Sequence, residues 1–310
     1  MLEHLTTEAR NPQSEDLDTL SPLEIVQLIN SEDAKIAAAV AQQAEPIAKA
    51  VEVISHRLGH GGRLIYAGAG TSGRLGMLDA AECPPTFNSD PTQVIGLIAG
   101  GPKAMAKAVE GAEDSLELAA EDLRNIELCS QDVVVGIATS GRTPYVIGAL
   151  DYARSQGAYA IGLSCNRDAA ISARADLSIA PIVGPEVLSG STRLKGGTAT
   201  KMILNILTTG AMVRLGKTYG NLMVDLQATN TKLTERAKRI VQSLTELSSE
   251  DAEKLLKRCQ GELKTAIVAQ QLGLSSEEAR SQLKSANGHL RNALTAHINS
   301  ERQNNNGFKS

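Results

Sequence analysis

Between Arg63 and Ala180 the chain alternates short, unbroken apolar runs with longer segments whose apolar positions recur at helical spacing. The runs are Leu64–Ala67, Val94–Ile98, Val133–Ile137, Ala158–Leu163 and Leu177–Ala180. A strand that faces water on one side alternates apolar with polar residues, whereas a continuous apolar run marks a strand covered on both faces. Helical segments between such strands allow them to run parallel. The pattern therefore predicts an α/β fold, a doubly wound parallel sheet flanked by helices. In such sheets ligands sit beyond the carboxyl ends of the strands, so the loops after each run are where chemistry belongs.

The flanks read differently. Ser21-Pro22-Leu23-Glu24 combines a cap, a first-turn proline and an early acid, which predicts helices over 21–58, interrupted near Asn30-Ser31-Glu32-Asp33. After about Arg236 the strand signal vanishes. Ala252, Leu255, Leu256 and Cys259 recur at helical spacing, and Ser275-Ser276-Glu277-Glu278-Ala279 reads as a capped helix start. Residues 240–298 are thus expected to form a small C-terminal helical domain. The predicted organisation is a domain over 1–238 with an N-terminal helical arm, a small helical domain over 239–300 and a frayed tail over 301–310.

Composition narrows the classes. Aromatic residues make up only 2% of the chain and Trp is absent, so the core must be built from Ala, Val, Ile and Leu. A net charge of −4 gives no broad basic field, and stacking platforms are missing, so nucleic acid is not expected as a partner. MLEHLTTEAR does not read as a signal peptide, and no apolar stretch approaches about 18 residues. A cytoplasmic protein without a membrane partner is expected. Cys83, Cys129, Cys165 and Cys259 contain no C-x-x-C pair, which predicts reduced thiols and neither a disulfide framework nor a zinc site.

The chemistry concentrates in two loops. The first strand runs into Gly68-Ala69-Gly70-Thr71-Ser72-Gly73-Arg74 and the third into Ala138-Thr139-Ser140-Gly141-Arg142-Thr143-Pro144, so Thr-Ser-Gly-Arg occurs twice, each time between a strand end and a helix start. Backbone N–H groups at a helix N-terminus, the helix dipole, close approach at glycine and nearby hydroxyls together suit a phosphate. Plain N-capping uses the same hydroxyls, and the duplication is what favours the phosphate. Gly68, Gly70 and Gly73 also fit a dinucleotide fingerprint, but the next strand ends without an acidic residue for a ribose. A third loop, Ser189 to Thr198, either supplies cations and hydroxyls or caps the long helix that follows to about Leu215.

Two carboxylates stand near these loops in sequence. Glu82 is expected at the end of the helix that starts at the first loop, with Cys83-Pro84-Pro85 as an abrupt stop, where the dipole opposes its charge as suits a proton donor. A solvated glutamate before a turn is the plainer alternative. Glu113 is expected on the helix after the second strand, among Glu110, Glu113 and Asp114, and spacing does not single it out.

Taken jointly and in order, Gly68–Gly76, Asp79–Pro85, Gly96–Gly101, Val109–Asp114, Ala138–Tyr145, Gly190–Lys195 and Gly220–Asp225 resemble the N-acetylmuramic acid 6-phosphate etherases, and the likeness runs from Thr7-Glu8-Ala9-Arg10-Asn11 to the C-terminal helices. The resemblance implies the sugar isomerase (SIS) fold with a UBA-like helical domain, and a homodimer that removes D-lactate from a sugar phosphate without metal or organic cofactor. It implies Glu82 as proton donor to the departing lactyl oxygen and Glu113 as second catalytic acid. Thr71, Ser72, Gly73, Ser140 and Thr143 are then expected around the phosphate, with Thr139 and Arg142 nearby, and Arg193 and Lys195 are candidate partners of the lactyl carboxylate. An aldose–ketose isomerase and a sugar-phosphate sensor on the same fold are the competing readings.

Overall fold

The computed structural model describes residues 6–107, 109–226 and 231–295. The tail expected at 301–310, and the last residues of the expected helical domain, lie outside the described residues. Residues 6–81 and 91–210 form one compact unit, and 82–90 and 211–295 belong to a second.

The first unit opens with α1 (Pro22–Asp33), α2 (Ile36–Ala41) and α3 (Ala44–Gly59). Ser21 and Glu24 close a capping box on α1, with the Glu24 carboxylate accepting the Ser21 N–H at 2.8 Å. The interruption expected at Asn30–Asp33 falls later, at Ala34–Lys35, with another at Gln42–Gln43. Ser31 does not cap a new helix. Its hydroxyl donates back to the Leu28 carbonyl at 2.8 Å and keeps the residue inside α1.

Next come β1 (Leu64–Gly68), α4 (Gly70–Phe87), β2 (Val94–Ile98), α5 (Leu116–Asn125), β3 (Val133–Ile137), α6 (Pro144–Ser155), β4 (Tyr159–Leu163), β5 (Leu177–Ile179) and α7 (Lys195–Arg214). Every strand boundary lies within one residue of its apolar run. The sheet is wholly parallel in the order β2-β1-β3-β4-β5. β1 and β3 are buried along their whole length, as continuous apolar runs require. The strand order reverses at β1, so its carboxyl end and that of β3 flank the crevice where α/β sheets hold ligands.

Register between these two strands is pinned at the opposite edge. Asp132 accepts the Arg63 backbone N–H at 2.9 Å, its guanidinium at 2.6 Å and the Cys129 N–H at 3.0 Å, just before Leu64 pairs with Val133. Burial raises the Asp132 carboxyl, and the bonds from Arg63 and Cys129 outweigh that and hold it below its ordinary value. On one sheet face Ile65, Val134 and Ala160 pack with Leu123 of α5 and with Val146 and Leu150 of α6. The Tyr145 hydroxyl, fully buried there, donates to Asp122 at 2.6 Å.

The second unit carries α8 (Thr231–Thr245), α9 (Ser249–Arg258), α10 (Leu263–Leu272) and α11 (Ser276–Ser285). Its own core contains Leu233, Ile240, Val241, Leu255, Ala266 and Ile267. Ser275 and Glu278 form the capping box that opens α11. No cysteine of the chain is in a disulfide; Cys83, Cys165 and Cys259 are buried and Cys129 is exposed.

Candidate functional site

The two Thr-Ser-Gly-Arg copies meet at the carboxyl ends of β1 and β3, but they are not built alike. α4 begins at Gly70, so Thr71, Ser72, Gly73 and Arg74 form its first turn, whereas Thr139–Arg142 is a loop and α6 begins only at Pro144. This corrects the expectation of equivalent placement. Gly73 is buried against β1, where a Cβ would stand 2.6 Å from the Gly68 carbonyl oxygen. Gly141 has φ +74, and a Cβ there would come within 2.2 Å of the Ala169 side chain. The first-copy arginine turns away: Arg74 donates to the carbonyls of Ala104 and Met105 at 2.8 and 3.0 Å.

Thr71, Ser72, Thr139, Ser140, Arg142 and Thr143 all line one cavity of about 510 Å³. Thr143 sits at the N-cap of α6, yet its hydroxyl makes no capping bond. The starts of α4 and α6 therefore present backbone N–H groups, hydroxyls and the exposed Arg142 to a common space, an arrangement suited to an anion. Three carboxylates, Glu8, Glu113 and Asp114, also line the wall.

Glu113 reaches this wall from a 3₁₀ turn, Ala112–Asp114, and not from a helix as expected. The backbone turns at Gly111, and Ser115 caps α5 only afterwards by accepting the Leu118 N–H at 3.1 Å. The structure separates the three acids that spacing could not. Glu113 and Asp114 face the main cavity, while Glu110 faces only a smaller one of about 210 Å³, which Glu113 also borders. No basic side chain pairs with Glu8, Glu113 or Asp114 among the described residues.

Other expected positions lie elsewhere. α4 does not stop at Cys83-Pro84-Pro85 but runs on to Phe87, because the Pro84 carbonyl still accepts the Asn88 N–H at 2.9 Å and Asn88, at φ +49, makes the turn. Glu82 is exposed, follows Gly70 by twelve residues on that helix, and does not line the cavity. Arg193 is exposed and also absent from the lining. Lys195 corrects the expectation of a carboxylate-binding lysine at the site: it is 1% exposed, and its ammonium donates to Glu32 at 2.6 Å.

The third loop gives the cavity Gly190 and Thr192, and the capping of α7 comes from outside the loop. Buried Glu186 accepts the backbone N–H groups of Lys195 and Gly196, each at 2.9 Å. Spacing gave no sign of Glu186, of Glu8 in the wall, or of Asn166, which binds the loop backbone at Thr139 and Ser140. Glu8 stood within a stretch noted only for its family likeness.

The sheet order, the cavity at the switch point and the two loops that line it are those of an SIS-fold protein. A family model described as the SIS domain matches residues 110–210, the glucokinase regulatory protein N-terminal SIS domain matches 46–154, and the C-terminal lid domain of that protein matches 220–264. The chain is 62% identical to an N-acetylmuramic acid 6-phosphate etherase of Rhodopirellula baltica over 86% of its own length and 88% of the relative's. It is 57% identical to one of Streptomyces avermitilis, covering 86% of each. The chain belongs to the N-acetylmuramic acid 6-phosphate etherase family. Among solved structures, a phosphoheptose isomerase of Neisseria gonorrhoeae aligns with TM-score 0.49 at 18% identity, over 62% of this chain and 98% of its own.

Proposed function

We propose that this protein is a cytoplasmic enzyme that converts N-acetylmuramic acid 6-phosphate and water into N-acetylglucosamine 6-phosphate and D-lactate, in the recycling of cell-wall amino sugars. Family membership supports the reaction, and one observation ties it to residues: both Thr-Ser-Gly-Arg loops and Glu113 line the same cavity. Thr71, Ser72, Ser140 and Thr143 hold the phosphate, with Thr139 and Arg142 beside it. Tethering the substrate by a group remote from the reacting carbons fixes C2 and C3 against the acidic wall.

The chemistry then needs one base and one acid. Ring opening exposes an aldehyde that acidifies C2–H. Glu113 takes that proton, the C3–O bond breaks with its electron pair leaving on the lactyl oxygen, and a carbon–carbon double bond forms between C2 and C3. Glu82 protonates the departing oxygen. Water then adds to C3 and a proton returns to C2, giving the product. No group in this sequence requires a metal or an organic cofactor.

Glu82 is absent from the lining of this cavity, and in this reading a second copy supplies it. That gives the proposed homodimer a catalytic reason. In this reading the first unit carries the phosphate loops and Glu113, and the helices from α8 onward form the accessory helical domain. The test is D-lactate release from N-acetylmuramic acid 6-phosphate by the purified protein in EDTA. An aldose–ketose isomerase would rearrange a sugar phosphate without releasing lactate, and a sensor would bind it unchanged.

A further inference from the structure

The N-terminal segment is bolted to the phosphate loop by a single buried amide. Asn166, 2% exposed, accepts the Thr6 hydroxyl at 2.9 Å through Oδ1, and its Nδ2 donates to the Thr7 hydroxyl at 3.1 Å and to the carbonyls of Thr139 and Ser140 at 3.1 and 3.3 Å. Thr7 is wholly buried. Further along, the Asn11 amide donates to the Pro185 carbonyl at 3.4 Å, and the Ser189 hydroxyl donates to the Ala9 carbonyl at 3.4 Å. Between these anchors Glu8 enters the cavity, with a carboxylate oxygen 3.7 Å from where a side-chain carbon would stand on Gly190.

A carboxylate with no basic partner among the described residues, beside loops suited to an anion, works against anion binding unless it meets something that donates. Ionised Glu8 can only accept hydrogen bonds, while the loops at the starts of α4 and α6 mainly offer donors. The lining thus carries two kinds of group: donors matched to a phosphate, and an acceptor matched to neutral O–H or N–H groups. We propose that Glu8 is a substrate-contacting residue whose carboxylate accepts a hydrogen bond from a hydroxyl or amide N–H of the sugar, held in register with the phosphate loop by Asn166. This rests on the sugar-phosphate reading of the cavity, and gives the segment Thr7–Asn11 a function.

The test compares parent, Glu8→Ala and Glu8→Gln by titration calorimetry with N-acetylglucosamine 6-phosphate and with inorganic phosphate, beside the lactate assay. Loss of a hydrogen bond to a charged group predicts that Glu8→Ala binds the sugar phosphate about ten- to a hundredfold more weakly, with phosphate affinity unchanged or slightly improved. Glu8→Gln, which keeps one acceptor oxygen, falls between. Sugar-phosphate affinity within twofold of the parent, or equal weakening of both ligands, overturns the assignment. A parent that releases no lactate but shows this split loses the etherase reading and keeps the Glu8 contact. A parent that binds neither ligand overturns both.

Discussion

Lys195 and Glu32 form an ion pair at 2.6 Å with side chains only 2% and 3% exposed. It joins the end of α1 to the start of α7, whose first N–H groups are held by Glu186. Glu32 also accepts from Lys35. Burial pushes its carboxyl up, and the bonds from Lys195 and Lys35 outweigh this and hold it at about 2. Because the folded value lies below the ordinary one of 4.5, the pair's contribution is complete above about pH 4.5 and is lost as pH falls towards 2.

Glu32→Ala leaves the Lys195 ammonium buried without its partner and is expected to cost about 3–5 kcal/mol in urea unfolding at neutral pH. Replacing both residues by Met is expected to cost clearly less. Equal losses in the single and double variants would show that the pair is not what matters.

Glu113→Gln keeps the size of the side chain and removes the base. Lactate release is expected to fall by about 10²–10⁴ in kcat, with inorganic phosphate affinity within twofold of the parent. Steady-state kinetics and calorimetry check the two halves of this expectation.

Glu82→Gln and Glu113→Gln are each expected to be nearly inactive, yet an equimolar mixture allowed to exchange subunits should recover about a quarter of parental activity. Half of the dimers would be mixed, and each mixed dimer would hold one intact site. No recovery, with mixed dimers demonstrated by mass spectrometry, would confine both carboxylates to one chain's site.

Gly141→Ala places a carbon 2.2 Å from the Ala169 side chain at a left-handed backbone position. The expected result is destabilisation of about 1–3 kcal/mol by thermal unfolding and weakened phosphate binding, because the loop cannot hold its path. Thr143→Val, whose hydroxyl caps nothing, should weaken phosphate binding about tenfold with little change in unfolding temperature.

How legible this was depended on range. Strands such as Val133–Ile137 were readable because burial on both faces writes itself as an unbroken apolar run, and the helix starts at Ser21 and Ser275 because capping is local. The two Thr-Ser-Gly-Arg loops were readable as a pair, but not that one is a helical turn and the other a loop that turns at Gly141. Prolines 84 and 85 misled because α4 runs through them to Phe87 and ends only where Asn88 takes a left-handed φ, although each proline lacks an N–H that the preceding turn could accept. Lys195 looked like a ligand cation because its partner, Glu32, is 163 residues away. Glu8 and Asn166 were silent for the same reason: the cavity that Glu8 lines and the bonds of Asn166 to Thr139 and Ser140 exist only after the sheet has formed.

The most direct test of the central claim is the fate of solvent atoms during turnover of N-acetylmuramic acid 6-phosphate in heavy water enriched in heavy oxygen. Elimination and hydration predict that the lactate keeps the ether oxygen and carries no solvent label, while the sugar product gains solvent oxygen at C3 and deuterium at C2. Solvent oxygen in the lactate, or a sugar unlabelled at C2, would contradict elimination across C2 and C3 followed by hydration.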